Sequence, residues 1–366
     1  MNVFFKRQYL RKKLRQWYHL HKRDLPWRKT LDPYKIWTSE IMLQQTQVAT
    51  VIPYYQKWVK TFPKLETFAK APLSKVLKLW AGLGYYRRAR MFHKAAQYVK
   101  KNLGGKIPGK MEELRKLPGI GRYTAGAIAS IAYNETVPVL DGNVIRILTR
   151  IFGISQNIDR PATIGKLWKI AETLLPKKNP GDFNQALMEL GATLCFSLNP
   201  ECSRCPVRTS CIAHKKRREI FYPVRSKREK YEKILMTALV VQNKKLEVFI
   251  EKQPEQGRWG GLWMFPFWTR KEDMLRASSK ICCQLRHFLT LQHAFTKYRI
   301  RLEVYRGDFK KKGIQRRRNW RWISIRTLKD LAIPSPHRKI AEKLSLENSL
   351  ESGLFSPKKT ASVNNF

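Results

Sequence analysis

Acidic residues are scarce in this 366-residue chain: 27 Asp and Glu stand against 73 Lys and Arg, a formal charge of +46. A compact fold with that excess repels itself unless a polyanion neutralises it, which points to nucleic acid. A generally basic proteome is the competing account, and charge alone does not decide between them. Cysteine is scarce as well, six in all, and four of the six crowd together late in the helical part of the chain. So tight a group excludes a framework of long-range disulfides. No apolar run approaches a membrane span, and the first residues lack the apolar core and small residues of a secretory signal. The expected setting is therefore the cytoplasm, with no membrane partner. Serine is absent before Ser39, while Leu10, Leu14 and Trp17 recur at helical spacing. That combination argues for a docking helix rather than an organellar transit peptide. There is no internal repeat. A hydrophobic content of 43% is ordinary for a globular protein and excludes a disordered-tail protein.

From Trp37 to Ala213 apolar stripes at three- and four-residue spacing predict helices almost throughout, punctuated by residues such as Pro53, Pro63, Gly82, Gly84, Pro118 and Gly121. Residues 1–213 form an expected all-α region. Residues 214–233 are basic and Pro-interrupted, which predicts an extended linker. The period then changes: Ile234 to Val241, Leu246 to Glu251, Tyr298 to Tyr305 and Trp320 to Ile325 read as strands. This gives an α+β domain over 234–345, and the aperiodic Ser- and Asn-containing segment 346–366 is expected to lack fixed structure.

The clustered cysteines are Cys195, Cys202, Cys205 and Cys211, a C-x6-C-x2-C-x5-C run. Thiolates at such intervals converge on one metal centre, and both a zinc tetrathiolate and a four-iron cluster fit. Zinc ribbons usually supply two C-x2-C pairs; the single pair here favours iron-sulfur. Upstream, Leu114 to Ile131 reads as helix, glycine hairpin, helix. Gly119 and Gly121 allow backbone N–H groups to approach a phosphate at the positive end of the second helix, although a tight helix–helix turn needs the same residues.

Asp141, in Val139 to Val144, falls where a loop enters a helix. Main-chain donors and the helix dipole there favour a charged carboxylate, for capping or for stabilising a cation that develops on a sugar. Glu40 lies in Ile36 to Thr46; on a helix its neighbours are Ile36, Trp37 and Leu43, an apolar face that disfavours ionisation. Two carboxyls in opposite environments suit glycosidic cleavage, whereas a Glu at the rim of an amphipathic helix is the plainer account of Glu40.

WTSEIMLQQTQVATVIPYY, WAGLGYYRRAR, LPGIGRYTAGAI, VLDGNV and the cysteine run, in this order, resemble the adenine DNA glycosylases of the MutY type, within the helix-hairpin-helix glycosylase superfamily. The similarity covers about residues 5 to 345. It implies a monofunctional base-excision repair enzyme that hydrolyses the N-glycosidic bond of adenine mispaired with 8-oxoguanine or guanine in duplex DNA, acting as a monomer and leaving an abasic site. By the resemblance, Glu40 is the proton donor, Asp141 the essential aspartate, Tyr123 the tyrosine beside the sugar cation and Asn143 the residue that holds water and carboxylate. Trp27, Arg28, Gln185 and Met188 align with the adenine pocket, and Gln45 and Tyr85 with side chains that enter the duplex. The four cysteines are implied to hold a [4Fe-4S] cluster beside a basic loop, Ser203 to Arg208.

The second domain resembles the family's Nudix-like 8-oxoguanine module. Gly260 to Pro266 matches a glycine-tryptophan stretch, but a Nudix box of clustered Arg and Glu is missing, which implies binding rather than hydrolysis. Where the family commonly carries Phe-Ser-His, this chain has Phe295, Thr296 and Lys297. An amine thus replaces an imidazole at the probe for oxidised guanine. Basic runs at Lys310 to Lys312 and Arg316 to Arg318 suit backbone contacts or a solvated loop equally. Two other functions compete: a glycosylase/lyase of the endonuclease III kind, which needs a lysine where Tyr123 stands, and a non-catalytic DNA-binding scaffold.

Overall fold

The computed structural model describes residues 3–226, 231–256, 259–295, 297–310 and 319–351. Its contacts divide into two units: Met1–Val76 with Arg87–Arg228, and Leu77–Tyr86 with Glu229–Phe366.

The first unit is helical. It contains α1 (Val3–His21), α2 (Pro33–Leu43), α3 (Val48–Thr61), α4 (Leu65–Lys70), the first residues of α5 (Leu73–Trp80), most of α6 (Tyr86–Asn102), and α7 (Met111–Leu114). After these come α8 (Arg122–Ala132), α9 (Gly142–Phe152), α10 (Pro161–Leu174), α11 (Pro180–Thr193) and the short α12 (Ile212–Lys215). The expected docking helix is α1: Leu10, Leu14 and Trp17 are buried, and Arg11 donates to the Leu174 carbonyl at 2.7 Å, satisfying the open end of α10.

The buried side of α2 is fixed by rings. Trp37 meets Phe92 at 4.8 Å between centroids, Phe92 meets Phe68 at 4.6 Å, and the Trp58 indole donates to the Tyr34 hydroxyl at 3.1 Å. Such aromatic pairs add about 0.5–1.5 kcal/mol each beyond their buried area. They hold α2 as a rigid mount.

The hairpin forms as expected between α7 and α8. Gly119 has φ +78°, and a Cβ there would stand 2.6 Å from Met91 Cβ, so only glycine fits. Gly121 precedes α8 in extended conformation and faces open space.

The linker expectation fails for residues 214–226. They pack onto the helical unit: Tyr222 is buried in its core, the Ile158 N–H donates to the Val224 carbonyl at 3.0 Å, and the Arg150 guanidinium binds the Glu219 carbonyl at 2.8 Å. Tyr222 and the backbone carbonyls supply what the basic side chains conceal in the sequence.

The second unit carries a seven-stranded sheet of β1 (Glu232–Gln242), β2 (Glu247–Lys252), β3 (Trp263–Met264), β4 (Phe267–Trp268), β5 (Cys282–Phe295), β6 (Tyr298–Phe309) and β7 (Trp320–Ser324). The order is β3-β2-β1-β6-β5, with β4 on β1 and β7 on β2; β1 and β6 run parallel. Ile300, Leu302 and Val304 alternate with outward Arg299, Arg301 and Glu303, the period of a half-buried strand. On one face Ile340 and Leu344 of α14 (Ser335–Glu351) join the core; on the other, Met274 of α13 (Lys271–Ile281) packs against Leu239 and Val241.

Sequence reading missed β5. It is an edge strand with register shifts between Cys283 and Arg286 and between His287 and Leu289, which break the period-two pattern. The expected tail from residue 346 is helical as far as Glu351 in α14. Thr296 and Lys311 to Arg318 lie outside the described residues, as does the side chain of Phe295. Among the described residues no helix is long and apolar enough to cross a membrane.

Candidate active site

Four pieces of the helical unit enclose a cavity of about 530 Å³: the Pro26–Arg28 turn, α2, the α8–α9 region and α11. Its lining includes Trp27, Arg28, Glu40, Gln45, Tyr123, Asp141, Asn143, Gln185 and Met188. Residues the sequence placed in one site are thus brought together from five separate stretches of chain. The size suits a small aromatic ligand.

Glu40 sits on α2 with only 6% of its surface exposed. Burial raises its carboxyl to about 7; a hydrogen bond from Tyr123 works against that, nearby Asp141 adds to it, and Arg28 opposes it. The Tyr123 hydroxyl donates to Glu40 Oε2 at 2.7 Å and also lies 3.2 Å from Met188 Sδ. A carboxyl in this state carries an exchangeable proton near neutral pH.

Asp141 is the N-cap of α9. The Val144 N–H donates to Oδ1 at 2.8 Å and the Asn143 amide to Oδ2 at 3.1 Å. Its net shift is nonetheless upward: burial outweighs the Val144 N–H, the Arg146 charge and Asn143, all of which favour the anion. The expected stabilisation of the charged form exists, but burial more than cancels it relative to water. Between the two carboxyls, Asp141 has more partners that favour its anion than Glu40 has: Val144, Asn143 and Arg146 against Tyr123 and Arg28.

Close helix packing sets the second carboxyl's surroundings. Gly191 on α11 lies where a Cβ would come within 2.5 Å of Asn143 Cβ, so α9 and α11 approach backbone to side chain. Arg146, not singled out from sequence, binds the Asn143 side-chain oxygen and the Gly191 carbonyl at 2.8 Å each, and the Cys195 carbonyl at 2.7 Å. Its signal was a positive residue three positions after Asn143, one helical turn along the same face of α9.

Gln45, just beyond α2, is exposed and has φ +56°. Tyr85 also has a positive φ, 50°, with an exposed ring; it belongs to the second unit. Lys297 pairs with Glu232 at 3.4 Å on the surface of that unit.

The four clustered cysteines line one small apolar cavity of about 30 Å³, with Ile147, Ile151, Leu190, Leu194 and Val207 among its walls. Burial pushes the Cys202 thiol up to about 12, with neighbouring Glu219 and the other cysteines adding to it; Cys205 rises to about 11. The pocket gathers four sulfur donors around one space, and a metal centre bound there would stabilise them as thiolates. His214 and Glu219 border the same space: Glu219 Oε1 is 3.5 Å from Cys202 Sγ and 2.8 Å from His214 Nδ1.

The family model described as HhH-GPD superfamily base excision DNA repair protein matches residues 38–173, and a NUDIX domain model matches residues 237–343. The chain is 35% identical over 342 residues to an adenine DNA glycosylase of Buchnera aphidicola subsp. Schizaphis graminum, covering 89% of this chain and 96% of that one. It is 48% identical over 215 residues to an adenine DNA glycosylase of Rattus norvegicus, 56% of this chain and 42% of the other. Among solved structures, a thermostable thymine-DNA glycosylase aligns at TM-score 0.54 and 31% identity, over 58% of this chain and 99% of that chain.

Proposed function

The chain belongs to the adenine DNA glycosylase family of base-excision repair DNA N-glycosylases, and from that premise we propose that it hydrolyses the N-glycosidic bond of adenine opposite 8-oxoguanine or guanine, leaving an abasic site without cutting the strand. The observation that carries this reading is one cavity holding both Glu40, protonated near neutral pH, and Asp141, ringed by donors.

In the proposed reaction adenine leaves the base stack and enters the cavity against Trp27, Arg28, Gln185 and Met188. Glu40 gives its proton to N7, turning the purine into a neutral leaving group. The glycosidic bond breaks with positive charge developing at C1′, where Asp141 stabilises it and Tyr123 borders the sugar. Water, oriented by Asn143 and Asp141, adds its oxygen at C1′ and gives up one proton to the Glu40 carboxylate, which restores the acid. Gln45 enters the duplex at the vacated position, Tyr85 contributes a ring that stacks on bases, and the hairpin at Gly119 and Gly121 grips phosphate.

A lyase step needs an amine nucleophile, and among the described cavity-lining residues there is no lysine; Tyr123 stands at the relevant place. This supports a monofunctional enzyme. The raised Glu40 supports catalysis over a binding scaffold, which has no use for a buried acid.

Cys195, Cys202, Cys205 and Cys211 would hold a [4Fe-4S] cluster. When bound, it cross-links the loop that carries Arg204 and Arg208 and takes no part in bond cleavage. The Nudix-like unit supplies recognition of the base opposite adenine, with Phe295, Thr296 and Lys297 at its probe. The test is release of adenine from duplexes with A opposite 8-oxoguanine, guanine and thymine. Release from the first two, with strand breaks only after alkali, is expected; absence of release from all three rejects the proposal.

A further inference from the structure

In the cavity wall lies an ion cluster, Arg23, Arg28 and Glu189, whose acid the reaction scheme leaves unused. Glu189 on α11 is almost wholly buried, 1% exposed in its side chain. It accepts from the Arg23 backbone N–H at 2.9 Å, Arg23 Nε at 2.8 Å, Arg23 Nη2 at 2.7 Å and Arg28 Nη2 at 2.7 Å. Arg28 returns a bond to the Arg23 carbonyl at 3.1 Å and lies over the Tyr18 ring, 5.4 Å from its centre. Gln185, Met188 and Glu189 occupy one face of α11 at i, i+3 and i+4, and all three line the cavity.

We propose that Glu189 is a positioning residue that acts through Arg28, fixing the guanidinium at the cavity wall and neutralising its charge so that Glu40 keeps its proton. This rests on the glycosylase reading above and deepens it. Three charged or titratable groups on other elements act on Glu40, Tyr123 from α8, Asp141 at the start of α9 and Arg28 from the turn, and Arg23 and Glu189 line the same cavity. Of the three only Arg28 is cationic, and a bare cation would draw the proton off. Glu189 is well suited to quench it. Burial alone would raise its carboxyl, yet Arg23 and Arg28 together hold it down at about 2, so it stays an anion wherever the enzyme works. Arg23 shares the same carboxylate and locks the segment that presents Trp27.

The two ends of the ion pair are expected to move the alkaline limb of the excision profile in opposite directions. Single-turnover adenine release by the full-length protein is measured against pH for wild type, Glu189→Gln and Arg28→Met, with duplex affinity and melting temperature alongside. In Glu189→Gln the limb falls to lower pH by roughly half a unit, about threefold in rate on its slope; in Arg28→Met it moves to higher pH. A limb that stays in place in both variants, with only thermal stability or a pH-independent rate altered, overturns the inference. If Glu189→Gln does not fold, the Arg28→Met shift alone decides. Lack of adenine release by the wild type at every pH is a different failure, that of the function itself.

Discussion

The Tyr123 hydroxyl donates to Glu40 Oε2 at 2.7 Å inside the cavity that also contains Asp141. The bond is a restraint on the acid, because it favours the charged carboxylate and so opposes the burial that raises Glu40 to about 7. Removing it with Tyr123→Phe is expected to move the alkaline limb of excision to higher pH. A limb that drops instead contradicts the assignment of Glu40 as the proton donor.

Glu40→Gln is expected to suppress adenine release by roughly 10²–10⁴-fold while duplex affinity holds. It also carries a stability consequence whose sign is set by the raised carboxyl. Between the ordinary carboxylate range and about 7 the native state keeps a proton that the unfolded chain has lost, so stability falls as pH rises through that window and stays lower above it. The penalty is roughly 3 kcal/mol at most. Gln cannot ionise, so thermal melts at pH 8 should show the variant more stable than wild type, and the difference should vanish near pH 4. Equal melting at both pH values excludes a buried neutral Glu40.

Asp141→Asn separates the cap from the catalyst. Asn caps helices about as well as Asp and keeps an oxygen for the Val144 N–H, so α9 should lose only a few tenths of a kcal/mol. The anion opposite C1′ is gone, and excision should fall by several orders of magnitude. Asp141→Ala is expected to cost about 1 kcal/mol as well. Comparable activity in wild type and Asp141→Asn under single-turnover conditions would sink the electrostatic role.

How much of this was readable beforehand depended on whether the determining contacts were local. Glu40, Tyr123 and Asp141 lie in short stretches whose helix, hairpin and cap are set by adjacent residues, and these were legible. The environment of Asp141 was not: its cap could be inferred, but the burial that outweighs it comes from α11, some fifty residues on. Arg146, Glu189 and Arg23 act across the chain and have no sequence pattern of their own. Residues 214–226 read as a linker because their basic side chains dominate composition, while the carbonyls that bind Arg150 are invisible in it. Strand β5 was hidden by its two register shifts.

Tyr123→Lys would place an amine in the cavity at the position proposed to border the sugar. With Glu40 able to take up a proton, the amine can attack C1′ of the abasic product, form a Schiff base and permit β-elimination. Direct strand nicking without alkali, together with borohydride trapping of a protein–DNA adduct, is the expected result. A gel showing only alkali-dependent breaks argues that position 123 does not reach the sugar.

In the proposed function Lys297 stands at the probe for the opposing base. Its ammonium is paired with Glu232 at 3.4 Å, but both side chains are about half exposed, so the pair holds the amine only weakly. An ammonium has donors and no acceptor, whereas a neutral imidazole offers one of each; 8-oxoguanine differs from guanine by gaining both a carbonyl oxygen and an N7 hydrogen. Lysine can serve the oxygen but cannot accept from the new N–H. Lys297→His should therefore widen the ratio of excision rates for adenine opposite 8-oxoguanine over adenine opposite guanine, by about tenfold if one hydrogen bond to the lesion is recovered. Side-by-side single-turnover rates on the two duplexes decide it. A wild-type ratio already as large as that of the variant removes position 297 from the discrimination and leaves Thr296 and Phe295 to account for it.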